Sequence, residues 1–428
     1  MKETIINNFK LGAFTALLGA VCGAVIWAFL RLTGICTQFL WDTIPEQTGI
    51  SWIPVVICTA GGLAAGLIHK RYGIYPEELQ TVLVKIKREK HYDYGPMPVM
   101  LICAFLPLIL GASVGPEAGM TGIIAGLCYW VGDSVRYAKE HAEEYSEIGA
   151  AVTLGSLFHI PLFGIFAVEE NPEGDGDDGS GIGIPRTSKL VLYGLSIAAA
   201  FLVMKALGSI LGAAGEGFPS FDYIEPAAAD YVLILLYIPV GLLLYFAFEY
   251  AEKITSAAAG RVPVVVRETI CGLCIGIMAL IVPAVLFSGE EQMAQLTDVF
   301  MAYAPAALIG ICFLKLLLTA FCIKFGLKGG HFFPLIFGCS CMGFGLASAI
   351  FGSAAGITDP AVIAGHAVFA AGTVTAAMLG AQMKKPVAVS LLLLLCFNVK
   401  YILWLILAAA VGSKASSFAA GSRKSASK

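Results

Sequence analysis

Long apolar stretches with almost no charged side chain are the feature that most constrains how this chain can fold. They recur along most of the sequence, at residues 11–30, 52–68, 97–132, 149–168, 231–248, 269–289, 301–314, 329–358 and 361–383. Several are long enough for the roughly 20 residues of helix that cross a bilayer, and the others are short or broken by Gly and Pro. They lack the alternation of apolar and polar residues seen in barrel strands. We therefore expect an all-α polytopic membrane protein.

Charge supports this class. Only 13% of the 428 residues are charged, which is too few for the surface of a soluble protein of this length. The net charge of −3 gives no indication of nucleic-acid binding, so the expected surroundings are membrane lipid.

The distribution of Lys and Arg predicts the orientation, because cytoplasmic loops of membrane proteins are enriched in both. Basic clusters occur at residues 70–71 with 85–90, at 253–267, at Lys384 and Lys385, and in the tail at 423–428. The loops at 42–51, 213–230, 288–298 and 352–360 are acidic and contain neither Lys nor Arg. We expect both termini in the cytoplasm and an integral protein of the plasma membrane.

The polar segment "NPEGDGDDGSGIGIP" divides the chain. We expect a first transmembrane half at 1–170, a Gly- and Asp-rich linker at 171–186, a second half at 187–411 and a disordered cytoplasmic tail at 412–428, with no cytoplasmic regulatory domain. The linker fails as a calcium loop, because the twelfth position from Asp175 is Arg186 instead of Glu. Cys271 and Cys274 have no second pair nearby. The sequence therefore predicts no metal and no cofactor.

The two halves resemble each other. The first contains "LILGASVGPEAGMTGIIAGL" and then "GSLFHIPLFGIFAVEE", and the second contains "GLKGGHFFPLIFGCSCMGFGLA" and then "TAAMLGAQMKKPVAVSLLLLL". Each half has a Gly- and Pro-broken segment before a helix of small residues, followed by a helix interrupted at Pro161 or Pro386. Paired interrupted segments of this kind indicate a transporter built from inverted repeats.

The broken segments carry the expected chemistry. Helices that start within the membrane at 115–119, at 329–334 and, less clearly, at 72–77 leave their first N–H groups free. Those groups and the helix dipole form an anion site. Partial charges of this kind hold a small anion loosely enough for it to leave again.

Glu117 is the only Asp, Glu, Lys or Arg between residues 97 and 132. A charged group in the middle of a membrane is costly, so a functional role is the first hypothesis. Deprotonated, its carboxylate can occupy the anion site; protonated, it can move away and admit a substrate. The alternative is a structural carboxylate that caps the free N–H groups.

Two further patterns leave alternatives open. Glu169 and Glu170 end an apolar run, either as an internal proton donor and acceptor or as a charged helix end at the interface. His159 is a buried histidine in one interpretation and a relay in another. With Ser113, which lies in a G-x-S-x-G match, it could also form a serine hydrolase, but the flanking segments are helical and no acid is apparent. We expect no enzymatic activity.

These residues resemble the ClC family of chloride channels and proton/chloride exchangers. "YGIYPE", "GPEAG" and "GGHFFP" are similar, in this order, to the family's three ion-binding motifs, and "GSLFHIPLFGIFAVEE" is similar to the helix before its internal glutamate. The resemblance implies a ClC-like inverted repeat of tilted and broken helices and a homodimer with one pathway in each subunit.

The resemblance also implies roles for single residues. Glu117 corresponds to the external gating glutamate and Glu170, with Glu169 beside it, to the internal proton glutamate. The implied anion-binding residues are Gly73, Ile74, Tyr75, Gly115, Pro116, Ala118, His331, Phe332 and Phe333. Gly73 stands where the family has a serine, Pro116 replaces an arginine, and no tyrosine follows residue 411 to donate to the anion.

The function that follows is transport of chloride or a similar small anion by proton-coupled exchange gated by Glu117. A passive ClC-type anion channel is the alternative within the family. A proton- or cation-coupled carrier of an organic solute, in which Glu117 binds a cation, is the alternative outside it.

Overall fold

We describe a computed structural model of the chain, for residues 2–77, 81–82, 93–134, 142–157, 160–169, 186–212 and 219–426. Its helices are α1 (Lys2–Gln38), α2 (Ile44–Thr48), α3 (Ile53–Tyr72), α4 (Met97–Ile109), α5 (Glu117–Ser134), α6 (Ala142–Leu157), α7 (Pro161–Glu169), α8 (Arg186–Leu211), α9 (Ala228–Ala259), α10 (Val264–Ile281), α11 (Glu290–Val299), α12 (Pro305–Phe325), α13 (Phe332–Ala347), α14 (Pro360–Met383), α15 (Pro386–Leu393) and α16 (Ile402–Ala426). The described residues contain no β-strand.

Nine helical segments among the described residues are long and apolar enough to cross a membrane. They are Leu11–Thr48, Ile53–Tyr72, Leu190–Leu211, Ala228–Ala259, Val264–Ile281, Pro305–Phe325, Phe332–Ala354, Pro360–Met383 and Val399–Ala419. Proline occupies the first turn of α3, α4, α12, α14 and α15, where its missing N–H breaks no helical hydrogen bond. The prediction of an all-α polytopic membrane protein is confirmed.

The two halves repeat the same broken elements. In the first half, α4 ends before a turn from which α5 begins; in the second, α12 ends before a turn from which α13 begins. The interrupted helices predicted at Pro161 and Pro386 are also present, as the pairs α6/α7 and α14/α15. Nearly every residue of α13 and α14 is buried, so these helices form the centre of the molecule.

Close packing of α3 on α10 joins the two halves along the length of both helices. Gly62 of α3 lies against the backbone of Glu268, and Gly272 of α10 lies against the carbonyl oxygen of Cys58; a Cβ at either glycine would collide with that backbone. Both glycines belong to G-x-x-x-G sequences, which let membrane helices approach closely. The contact brings the C-terminal end of α3, with Lys70 and Arg71, beside the N-terminal end of α10.

Helix α12 is longer than the uncharged run in the sequence predicts, and it includes a buried lysine. The uncharged run ends at residue 314, yet the helix continues to Phe325 with Lys315 fully buried. The ammonium group of Lys315 donates to the carbonyl oxygens of Val285, Leu286 and Phe287, at 3.0, 3.0 and 2.6 Å. These acceptors replace the water that the charge loses on burial.

The prediction of a disordered tail at 412–428 is wrong for most of its length, because α16 continues to Ala426. Small residues explain this: a Cβ at Gly412 would strike the carbonyl oxygen of Ala377, so the two helices nearly touch there. Ser416 is 3% exposed and donates to the carbonyl oxygen of Ala381 at 3.0 Å. Its contact with α14 stabilises a segment that looks too polar to pack when it is considered alone.

The basic pair at 384–385 also differs from the expectation. These residues form the break between α14 and α15, and Lys385 is only 7% exposed. The pair therefore interrupts a buried helix and does not form an exposed loop between two spans.

Candidate functional site

The turns that precede α5 and α13 pair with each other. Gly115 N–H donates to the carbonyl oxygen of Gly330 at 2.8 Å, and Gly330 N–H donates to that of Gly115 at 2.7 Å, as in an antiparallel β-bridge. Nearby, the hydroxyl groups of Ser113 and Thr319 lie 2.8 Å apart. The two helix starts, one from each half, are therefore held side by side.

Glu117 lies between these turns and is 1% exposed. Its Oε1 accepts a hydrogen bond of 2.9 Å from the backbone N–H of Phe332, a residue 215 positions away in the chain. The N–H groups of Phe333 and of Glu117 itself also point toward the carboxylate. Oε2 is buried with no hydrogen-bond partner among the described residues.

Glycine is required around this carboxylate. A Cβ at Gly115 would meet Oε2 of Glu117, and a Cβ at Gly330 would meet its carboxyl carbon. The carboxylate thus fills the space at the N-terminus of α13, where free N–H groups and the helix dipole attract a negative charge. A side chain that caps only its own helix would not need this contact with the opposite half.

A cavity of about 160 Å³ reaches this carboxylate. One end is lined by Glu117, Ala118, His331 and Phe332, with Gly329 and Gly330 beside them. The other end is lined by Glu252 of α9, by Ile323 and Lys324 of α12, and by Gln382 of α14. The site is therefore accessible from the ends of α9, α12 and α14.

Of the predicted anion-binding residues, those of the second and third motifs come together. Gly115 and Pro116 form the turn before α5, and Ala118, His331 and Phe332 line the cavity. Phe333, whose N–H points toward Glu117, is 2% exposed.

The first motif is not among the described residues that line the cavity. Gly73 follows the end of α3 with a φ of 100°, and Ile74 is 39% exposed. Tyr75 is half-buried against the core, and Pro76 lies close to Gly119 of α5. The helix expected to start after this motif runs into residues outside the described part of the chain, so its contribution to the anion site stays a prediction.

The predicted proton-transfer residues lie at the edge of the described part of the chain or outside it. Glu169 is the last residue of α7, and its side chain is outside the described set. Glu170 and His159 also lie outside the described residues. Their roles stay predictions.

The sequence gives little indication of three further groups near the site. Glu252 and Lys324 line the cavity. In the sequence they are charged residues near helix ends and belong to no motif. Glu290, the first residue of α11, is near enough to Glu117 to interact with it electrostatically. Burial raises the pKa of the Glu290 carboxyl to about 7; a hydrogen bond with Ser288 opposes the rise, and Glu291 adds to it. In the sequence, the one feature that sets Glu290 apart is its position after Gly289 in an acidic loop.

No tyrosine is among the described residues that line the cavity. Tyr401, just before α16, donates its hydroxyl to the carbonyl oxygen of Ile224 at 2.6 Å and is not among the cavity-lining residues. The groups around Glu117 that point at its carboxylate are backbone N–H groups.

Residues 61–417 match the family model described as voltage gated chloride channel. The chain belongs to this family. Membership places it among transport proteins, and it explains why the halves are related as inverted repeats of broken helices. The resemblance inferred from the short motifs is thereby confirmed.

Two curated relatives show about the same sequence identity to this chain. Chloride channel protein CLC-e of Arabidopsis thaliana is 25% identical over 368 residues, which cover 78% of this chain but 49% of that protein. The chain thus spans about half the length of this relative. A Salmonella paratyphi A protein named YfeO is 24% identical over 366 residues, which cover 82% of this chain and 83% of that protein.

Solved structures share the fold. A CLC-type fluoride/proton antiporter superimposes with a TM-score of 0.71 at 18% identity, covering 95% of each chain. A slow cyanobacterial Cl⁻/H⁺ antiporter superimposes with a TM-score of 0.68 at 18% identity, covering 96% of this chain and 94% of the other. These similarities confirm the ClC-like architecture.

Proposed function

We propose that this chain exchanges chloride or a similar small anion for protons across a membrane, with Glu117 as the gate. The observation that carries the proposal is the bond from Phe332 N–H to the buried Glu117 carboxylate. A helix N-terminus that holds a carboxylate can hold another anion of similar charge in its place.

The exchange follows from competition for one position. The deprotonated carboxylate of Glu117 excludes an anion from the N–H groups of α13. When Oε2, which has no partner among the described residues, takes up a proton, the neutral group binds the helix start less strongly. The side chain then leaves the position to an anion, so proton uptake and anion entry are linked.

Glu170 and Glu169 are the groups that we assign to proton exchange with the other solution. The family resemblance of the segment that ends in this pair supports the assignment. Family membership also supports a homodimer, and the distribution of Lys and Arg supports cytoplasmic termini.

Paired measurement of anion and proton flux in liposomes tests the proposal. The wild-type protein should move anions and protons together, and external acid should raise the anion flux. Glu117→Gln imitates the protonated side chain, so it should move anions at a rate independent of external pH and move no protons. Chloride and fluoride should both be tested.

Each other result has a clear meaning. Anion flux without proton movement in the wild-type protein would identify a passive channel. Current that requires an organic solute and no anion would favour the carrier. A well-folded Glu117→Gln protein that still drives protons against a gradient would exclude Glu117 as the gate.

A further inference from the structure

An ion pair lies at the open end of the cavity that reaches Glu117. Nζ of Lys324, in the last turn of α12, is 2.9 Å from a carboxylate oxygen of Glu252 on α9. Their side chains are 23% and 24% exposed, and both residues line the cavity. Water therefore reaches both partners, and an ion pair of this exposure is weak.

The charges along the cavity are unbalanced for an anion. Glu117 and Glu252 each contribute a carboxylate, and Lys324 is the only Lys or Arg among the described residues that line the cavity. An entering anion meets two negative groups and one positive group. Among the described lining residues, Lys324 alone offers it a favourable electrostatic contact with a full positive charge, and the anion must compete there with Glu252.

We propose that Lys324 is the cation that draws the transported anion into this cavity, and that Glu252 competes with the anion for its ammonium group. The inference rests on the proposed function, because it concerns how the same anion reaches Glu117. It adds a side-chain cation to a site in which the described donors to Glu117 are backbone N–H groups. The ligand class is a small monovalent anion such as chloride or fluoride.

A structural role for the pair makes a different prediction. If the pair only fastens α9 to α12, removal of either charge breaks the same contact, and the two variants should behave alike. If Lys324 recruits anions, its removal weakens anion entry, whereas removal of the competing carboxylate strengthens it. The sign of the Glu252 effect therefore separates the two roles.

The experiment measures initial anion flux in liposomes over a series of chloride concentrations. Lys324→Gln should raise the half-saturating concentration about threefold or more, since a focused positive charge increases local anion concentration by at least this factor. Glu252→Gln should lower it. The maximal flux should change less than the half-saturating concentration in both variants, and Lys324→Arg should restore the wild-type value.

The matched control is the pair formed by Lys253 and Glu249 on the same helix. Its charges are 3.8 Å apart, the side chains are 64% and 29% exposed, and neither residue lines the cavity. Lys253→Gln and Glu249→Gln should leave the half-saturating concentration unchanged, which excludes a general effect of charge at this end of the protein.

Equal shifts in Lys324→Gln and Glu252→Gln, or no shift in either, would overturn the inference and leave the proposed function intact. If Lys324→Gln does not fold, Glu252→Gln and Lys324→Arg still test the inference. A half-saturating chloride concentration that does not fall in Glu252→Gln overturns it. A wild-type protein that moves no anion would instead refute the proposed function.

Discussion

At the scale of single residues, Glu117 shows how one carboxylate can be both costly and useful. Its burial is compensated by N–H groups from a helix start in the other half of the protein. We propose that the same groups attract an anion, so that the carboxylate and the anion compete for them. In the proposed mechanism the gate and the anion site therefore share the same N–H groups.

A residue-scale prediction concerns the internal proton donor. Glu170→Gln should stop proton movement while anion flux continues, because an amide keeps the shape of the carboxyl group but does not titrate. The measurement is the paired flux assay, with Glu169→Gln as the neighbouring variant. Unchanged coupling in Glu170→Gln together with lost coupling in Glu169→Gln would assign the role to Glu169.

At the scale of elements, the site depends on how two helices begin. The turns before α5 and α13 pair through Gly115 and Gly330, and the Glu117 carboxylate occupies the space that a Cβ at either glycine would fill. Glycine is needed at these positions because a Cβ would occupy that space. The position of the Glu117 carboxylate therefore depends on the backbone of both turns.

An element-scale prediction follows for Gly330→Ala. Its Cβ should displace the Glu117 carboxylate, so anion flux should become less sensitive to external pH. Gly338→Ala on α13 is the control, since its Cβ would meet neighbours only at ordinary contact distance, 3.7 Å. Wild-type pH dependence in a folded Gly330→Ala protein would contradict the position that we assign to the carboxylate.

At the scale of the whole molecule, one basic cluster and the opening of the cavity lie near neighbouring helix ends. The contact of α3 with α10 brings Lys70 and Arg71 beside the start of α10, and the cavity opens where α9 and α12 end. If this end is cytoplasmic, as the basic residues indicate, the Lys324–Glu252 pair faces the cytoplasm. The pair and Glu117 would then act on the anion in sequence.

The whole-molecule prediction is the oligomeric state. Family membership leads us to expect a homodimer, so native mass spectrometry of protein released from detergent should give twice the 45.0 kDa of one chain. Dilution in detergent followed by the same measurement tests whether the dimer persists. A mass of one chain throughout would contradict it.

The sequence alone determined the class of protein and the broken helix starts, and it singled out Glu117 as a carboxylate within an apolar run. These features depend on neighbours in the chain: long uncharged runs match the span of a bilayer, and the clustered Gly and Pro of the short motifs favour a break before a new helix. The two clearest motifs, at 115–118 and 331–333, are therefore the ones that the structure brings together.

Only the tertiary structure decided which groups meet. The N–H group of Phe332 donates to Glu117, which lies 215 residues away in the chain, and Lys324 forms an ion pair with Glu252. Lys315 can lie inside the membrane-spanning helix α12 because its ammonium group donates to three carbonyl oxygens of another segment. The composition of the tail predicts disorder, but the tail is helical and packs on α14, where Gly412 lies against the carbonyl oxygen of Ala377. Local composition carries no information about such partners, because they are set by which helix faces pack together.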